Sequence, residues 1–156
     1  MLENQLTQLE TEWSSQFMNV LASENDILSF QLKYNILIPN DLKVFFLRLN
    51  GTNGKYDGRF FEFFSLKEFQ NIDEKLKNKD GSPDYSNIVN TFDGYKTTFV
   101  FANFDFYLFS YAIRLYEDKT SNNEVYVLCG DEYGKVANSF TEFVDLYLNN
   151  LEKLLF

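Results

Sequence analysis

Histidine is absent from the 156-residue sequence, and cysteine occurs only once. The absence of histidine excludes the side chain that most often acts as a general base near neutral pH, and with it every Ser-His or Cys-His catalytic pair. A zinc site built from cysteine and histidine is excluded as well. Glycine-rich phosphate-binding motifs of the G-x-x-x-x-G-K-[ST] and G-x-G-x-x-G types are also missing. The sequence therefore predicts a protein that is not an enzyme and that needs no metal or cofactor.

Long apolar stretches are lacking too. No window approaches the roughly 18 apolar residues of a membrane span, and the N-terminus has neither the basic start nor the apolar run of a signal peptide. The single cysteine, Cys129, cannot form an internal disulfide and follows the apolar residues 125–128, which predicts a reduced, buried thiol. We therefore expect a soluble, cytoplasmic protein.

Aromatic residues, in contrast, are abundant. The chain has 18 phenylalanines and 10 tyrosines, and hydrophobic residues make up 45% of it. A domain of this length buries roughly 70% of the surface that its unfolded chain would expose, so it can form a core without disulfides or metal. Because the sequence has neither an internal repeat nor a recognisable linker, residues 1–156 are predicted to form a single domain.

The charge is strongly acidic and unevenly distributed. The net charge is −9, and residues 1–32 contain five acids and no base, whereas residues 80–156 contain twelve acids and five bases. Such a molecule repels the phosphates of nucleic acids and anionic membranes, but it can attract a basic protein partner. An alternative is that the surplus acid only keeps a phenylalanine-rich protein soluble.

Three helices are predicted in the N-terminal third. Apolar residues at spacings of three or four indicate a first helix over residues 2–20, about five turns long. A second helix over 23–35 is predicted from the capping residue Ser23 at its start and from Asn35, which tolerates a left-handed backbone, at its end. A proline at the start and an Asn-Gly pair at the end define a third helix over 39–50.

The rest of the chain is predicted to be mainly strands. Capping boxes that begin at Ser65 and Ser139 open a short helix and a C-terminal helix, and the polar stretch 73–87 is predicted to be a loop. The polar connection 117–123 is short enough to join an antiparallel hairpin. This order predicts an α+β fold with a largely antiparallel sheet, flanked by the N-terminal helices and the C-terminal helix. The predicted strands cover 59–64, 98–103, 107–116, 124–129 and 135–138.

Several short motifs, taken in order, resemble one protein family. Ile38-Pro39 opens a helix that closes on Asn50-Gly51, and residues 99–102, 124–128 and 136–143 follow as two strands and a Ser-Phe-x-Glu-Phe entry to the last helix. Together these motifs resemble the SUKH superfamily over residues 27–150. The resemblance implies a mixed α+β fold and, for most bacterial members, neutralisation of a polymorphic toxin by direct binding. Fungal relatives act as scaffolds in cell-wall signalling.

The leading hypothesis is therefore an immunity protein that occludes a basic surface of its cognate toxin. The candidate contacts are exposed acids in loops, namely Glu117, Asp118, Asp131 and Glu132, followed by Asp80 and Asp84. Pro39, Asn50 and Gly51 are interpreted as structural. Two alternatives stay open: a non-catalytic regulatory scaffold, and a small-molecule or carbohydrate-binding module that uses aromatic rings as stacking platforms. The oligomeric state is not predicted.

Adjacent acids and one aromatic stretch are the remaining features of the sequence that bear on function. The adjacent acids at 73–74, 117–118 and 131–132 leave carboxylate or calcium chemistry open, although none has the spacing of an EF-hand. The aromatic stretch 60–64 is interpreted as a strand buried on both faces, in preference to a set of exposed anchors for a partner.

Overall fold

The computed structural model describes residues 2–14, 16–17, 19–76 and 86–155, with the side chains of residues 86 and 87 left out. Within these ranges it contains six α-helices and six β-strands. None of these helices has the length and apolar character that crossing a membrane requires. The helices are Leu2–Trp13 (α1), Glu24–Tyr34 (α2), Asn40–Arg48 (α3), Ile72–Leu76 (α4), Ser86–Thr91 (α5) and Phe140–Asn149 (α6), and the strands are Phe61–Phe63 (β1), Gln70–Asn71 (β2), Thr98–Phe104 (β3), Phe109–Arg114 (β4), Val125–Cys129 (β5) and Glu132–Ala137 (β6).

The strands form one antiparallel sheet in the order β1-β3-β4-β5-β6, and β2 also pairs with β3. Because the strands are antiparallel, the turns 105–108 and 130–131 lie at one end of the sheet. The connection 115–124 between β4 and β5 lies at the opposite end. The predicted α+β class, with an antiparallel sheet, N-terminal helices and a C-terminal helix, is confirmed.

The sheet is buried on both faces. One face packs with α1, α2, α3 and α6 into the main core, which includes Phe61, Phe63 and Phe101. The other face forms a smaller cluster with the flanking segments on that side, and its members are Phe64, Ile72, Leu76, Ile88, Phe92, Val100, Ala112 and Leu128. The alternation of side chains along a strand explains how neighbouring phenylalanines reach different clusters.

The prediction of a loop over 73–87 is wrong where α4 and the start of α5 lie. The stretch looks polar because α4 contributes only Ile72 and Leu76 to the second cluster, one helical turn apart. Lys75 is also buried, and its ammonium nitrogen lies 3.8 Å from the centre of the Phe64 ring. A lysine that buries its aliphatic stem in this way looks like surface in the sequence. Residues 77–85 lie outside the described ranges, and with them Asp80 and Asp84.

The first helix is shorter than predicted, since α1 ends at Trp13 instead of continuing to Val20. Phe17 still packs edge-on against Trp13, at a ring distance of 6.2 Å, because its backbone N–H bonds to the Trp13 carbonyl in a turn. Val20 is 85% exposed. The apolar spacing continues past the end of the helix as far as Phe17, because a turn packs Phe17 against Trp13. The predicted cap of α2 is present, and Ser23 and Asp26 form a reciprocal capping box.

Candidate partner-binding surfaces

The four predicted loop acids within the described ranges fall into two separate groups. Glu117 and Asp118 are exposed in the connection between β4 and β5, and are called the connection pair below. Asp131 and Glu132 are exposed at the turn between β5 and β6. The five residues of β5 separate the two groups by about 17 Å at the usual rise of a strand. The two groups therefore form two separate candidate contact sites.

These four carboxylates are not in ion pairs with any described base. The four ion pairs between described residues instead join Lys43, Arg48 and Arg59 to glutamates near the N-terminus, which are Glu3, Glu10, Glu12 and Glu24. The N-terminal glutamates are thus paired with bases of the chain itself, whereas no described base is paired with the loop acids.

The electrostatic effect of the loop acids is visible at Cys129, the residue that precedes their turn. Burial, and then the carboxylates of Glu132 and Asp131, raise the pKa of its thiol. The cysteine is free and half-buried, so the prediction of a buried thiol is right only in part. Its position at the end of β5, rather than inside the strand, accounts for the difference.

Exposed apolar side chains lie beside Asp131 and Glu132 at the same end of the sheet. Phe60 is 60% exposed, Phe106 is 72% exposed and Leu108 is 44% exposed. The rings of Phe106 and Tyr56 are 4.6 Å apart. We call the set Phe60, Asp105, Phe106, Leu108, Asp131 and Glu132 the turn surface.

The interpretation of 60–64 as a strand buried on both faces is right for most of this stretch. Phe61, Phe63 and Phe64 are buried, and β1 begins at Phe61. Phe60 departs from the strand because its φ is +63°, which turns its side chain out of the pleat.

The backbone of the turn surface is held in an unusual conformation. Asp105, Phe106 and Tyr107 have φ values of +48°, +55° and +68°, and this left-handed region is unfavourable for bulky residues. Hydrogen bonds hold it in place. The fully buried Asn103 side chain accepts from the Tyr107 N–H at 3.2 Å and from the Tyr56 hydroxyl at 2.8 Å, and it donates to Glu62 at 2.7 Å.

A cleft of about 620 Å³ lies at the other end of the sheet, beside the connection pair. Its walls include Asp118 and Lys119 on one side and Pro39 and Lys43, at the start of α3, on the other. None of the described residues that line it is aromatic. A stacking platform for a sugar or another ring is therefore not formed there.

Two other features face solvent near α2. Leu28 and Leu32, one helical turn apart, are 52% and 73% exposed, and are called the leucine strip. On the other side of α2, a cleft of about 540 Å³ is lined in part by Phe30, Tyr34 and Phe69. Phe30 and Phe69 are both buried and stack on each other, which leaves neither ring face open to a planar ligand.

The Asn50-Gly51 pair has a structural role. The Asn50 side chain donates to the Val20 carbonyl at 2.8 Å and accepts from the Leu66 N–H at 2.8 Å, so it joins three segments of the chain. Gly51 has a φ of +87°, and a β-carbon built on it would lie 2.5 Å from the Phe63 carbonyl oxygen. Only glycine fits this contact between the end of α3 and β1.

Comparison with known families identifies the family of the chain. The model of the SMI1 / KNR4 family (SUKH-1) matches residues 21–146. The chain belongs to the SMI1/KNR4 (SUKH-1) family. The predicted membership of the SUKH superfamily is confirmed, and the matched span includes both sheet ends and the Asn50-Gly51 pair but not α1. No curated protein matches the chain.

Of the turn surface, Asp131 and Glu132 were predicted from the sequence, whereas Asp105, Phe106 and Leu108 were missed. One signal was present, since the predicted strands 98–103 and 107–116 leave only residues 104–106 between them, and these contain two phenylalanines and no glycine. A hairpin turn that contains aromatic residues exposes at least one of them.

Proposed function

We propose that this protein is an immunity protein, which binds and neutralises a cognate bacterial toxin by covering the toxin's functional surface. The observation that carries the proposal is the set of exposed carboxylates at the two ends of the sheet, none of which is in an ion pair with a described base. A surface of this kind attracts and orients a basic partner. A nuclease toxin fits this requirement, because its own active site must attract phosphate.

The proposed mechanism is occlusion, with no chemical step. The acidic loops accelerate encounter with the toxin, and the bound protein then excludes the toxin's substrate by its volume and by its negative charge. Family membership supports this reading, because the SUKH family includes toxin immunity proteins as well as fungal regulators.

A regulatory scaffold is the second candidate, and the leucine strip favours it. Leu28 and Leu32 lie on α2 and form an exposed apolar surface that contains none of the loop acids, which offers another partner a place to bind. A scaffold would bind two proteins at once without inhibiting either. The small-molecule or carbohydrate module has weaker support, because the cleft beside the connection pair has no aromatic residue among its described walls, and of the aromatic residues that line the other cleft only Tyr34 is partly exposed.

Co-expression tests the proposal. The toxin domain encoded by the adjacent reading frame is produced in a bacterial host with and without this protein, and colony survival is counted. We expect the wild-type protein to restore survival. If the toxin kills equally well in its presence while the two proteins bind each other, the scaffold reading replaces the immunity reading.

Matched variants make the test specific. The double variants Glu117→Lys/Asp118→Lys and Asp131→Lys/Glu132→Lys each raise the net charge from −9 to −5, two charges for each of two residues. Asp93→Lys/Glu152→Lys makes the same change at exposed acids outside the candidate surfaces. Survival should fall for at least one candidate pair and not for the control pair. Equal protection by all three would remove the loop acids from the mechanism.

A further inference from the structure

We propose that the turn surface is where the partner docks, and that it takes a protein face carrying arginine side chains. The inference rests on the proposed function only in assuming a protein partner. It selects one of the two acidic ends of the sheet and names the chemistry that this end recognises.

The turn surface is continuous across four strands. The Asp105 N–H bonds to the Phe60 carbonyl at 3.0 Å, which joins the turn 105–108 to the start of β1. Ser110 pairs with Leu128, and this register places Leu108 opposite Gly130, next to Asp131. The surface therefore extends from β1 to β5, three strand spacings or about 14 Å, and it carries both apolar and acidic side chains.

The aromatic side chains of this surface are held in place before any partner arrives. Asn103 fixes the left-handed turn, and Tyr56 packs against Phe106 with their rings tilted by 38°, so binding would order few additional groups. Exposed aromatics held in this way are the usual anchors of a protein interface. An unfavourable backbone that holds a phenylalanine 72% exposed is also a feature that clusters at functional surfaces.

The charges around the rings specify the occupant. Asp105, Asp131 and Glu132 are all exposed, and the neighbouring bases are engaged elsewhere. Arg59 pairs with Glu12 at 2.7 Å and lies over the Tyr147 ring, while Lys55 donates to the Gln16 carbonyl at 3.2 Å. A guanidinium from a partner would stack on a phenylalanine ring and form paired hydrogen bonds with a carboxylate. Arginine satisfies both requirements, whereas lysine satisfies them less well.

The chain provides its own comparison surfaces. The connection pair has exposed acids beside a cleft without aromatic lining, and the leucine strip has exposed apolar side chains next to the Glu24–Lys43 ion pair. The turn surface combines acids with aromatic rings. A probe that needs both chemistries should distinguish it from the other two.

The test is a nuclear magnetic resonance titration of the ¹⁵N-labelled full chain with a synthetic peptide of alternating arginine and leucine. A glutamate-leucine peptide and a lysine-leucine peptide serve as controls. We expect shift changes at the backbone amides of residues 105–108 and 130–132, with binding by the arginine peptide the tightest. Phe106→Asn should weaken it at least tenfold, and Leu32→Asn, which removes an apolar side chain of equal exposure, should change it less than twofold.

Folding is controlled within the same experiment. Asparagine tolerates the φ of +55° at position 106, so the melting temperature of Phe106→Asn should fall by no more than about 3 °C while binding is lost. Equally large shift changes at the backbone amides of Glu117 and Asp118 would show that charge alone determines where the peptide binds, and would overturn the proposal. So would shifts centred on the leucine strip, or a wild-type dimer that Phe106→Asn makes monomeric, since a second copy would then be the occupant. Because no toxin is used, these outcomes are independent of the survival test.

Discussion

Gly51→Ala is expected to lower the free energy of unfolding by about 4 kcal/mol or more, a large part of the total stability of a domain. A β-carbon at this position would lie 2.5 Å from the Phe63 carbonyl oxygen, 2.8 Å from the Phe64 carbonyl carbon and 2.9 Å from the Ser65 nitrogen. All three are backbone atoms, so no side-chain rotation relieves the contact. The segment would have to move away from Thr52, which now bonds to both the N–H and the C=O of Phe63.

Gly54→Ala is the matched control for this prediction. Gly54 also has a positive φ, +73°, but its added β-carbon would meet nothing closer than a Glu62 carboxylate oxygen at 4.0 Å. Gly54→Ala should therefore lower the free energy of unfolding only by the cost of a left-handed backbone at alanine, about 1–2 kcal/mol. Urea denaturation of both variants gives two free energies of unfolding, and their difference is the cost of the close contact between Gly51 and the backbone of residues 63–65. Equal losses in the two variants would mean that the contact with β1 does not matter.

The second large effect is a steep loss of stability above pH 10. Burial raises the pKa of Tyr111, and burial together with the Asp57 carboxylate raises the pKa of Tyr147. Both side chains are fully buried, and they donate hydrogen bonds to the Leu154 carbonyl and to Asp57 respectively. They stay protonated in the folded state while the unfolded chain loses their protons. The contribution of each is thus fully present below pH 10 and falls as the pH rises further.

The expected slope is about 1.4 kcal/mol per pH unit for each buried tyrosine, or about 2.7 kcal/mol for the two together. Urea denaturation at half-unit steps from pH 9 to pH 11 measures it. Burial and the Glu124 carboxylate raise the pKa of Tyr116 to about 12, so Tyr116 adds to the total slope, and Tyr111→Phe should remove about 1.4 kcal/mol per pH unit of that total. Between about pH 6.5 and pH 8 the stability should be nearly constant, because the chain has no histidine. A slope that Tyr111→Phe leaves unchanged would contradict the assignment of the pH dependence to the buried tyrosines.

The elements that sequence reasoning predicted well are those whose signals are local. Ser23 with Asp26, and Ser139 with Glu142, specify helix starts through contacts three residues apart, and both serines accept the expected hydrogen bond. Asn35 ends α2 with a φ of +53°, as its tolerance of this conformation predicts. These interactions form within one turn of the chain, so the helix ends can be predicted from the residues without knowing the fold.

The elements that it missed depend on contacts between distant residues. Lys75 reads as a surface residue until Phe64, eleven positions earlier, is seen beneath its side chain. Phe60 is interpreted as core, and Phe106 falls between two predicted strands, until the Asp105–Phe60 hydrogen bond and the Asn103 network show that both side chains face outward. The separation of the acidic pairs likewise follows from the antiparallel fold, because Asp118 and Asp131, only thirteen positions apart, lie beyond opposite ends of β5.

The salt dependence of association with the toxin tests the central claim most directly. Stopped-flow binding is measured at several salt concentrations for the wild-type protein and for Asp131→Lys/Glu132→Lys, with Asp93→Lys/Glu152→Lys as the charge-matched control. We expect the wild-type association rate to fall at least about tenfold once the Debye length drops below about 8 Å, while dissociation changes less. The Asp131→Lys/Glu132→Lys variant should associate slowly at every salt concentration. An association rate that is independent of salt in all three proteins would contradict the account.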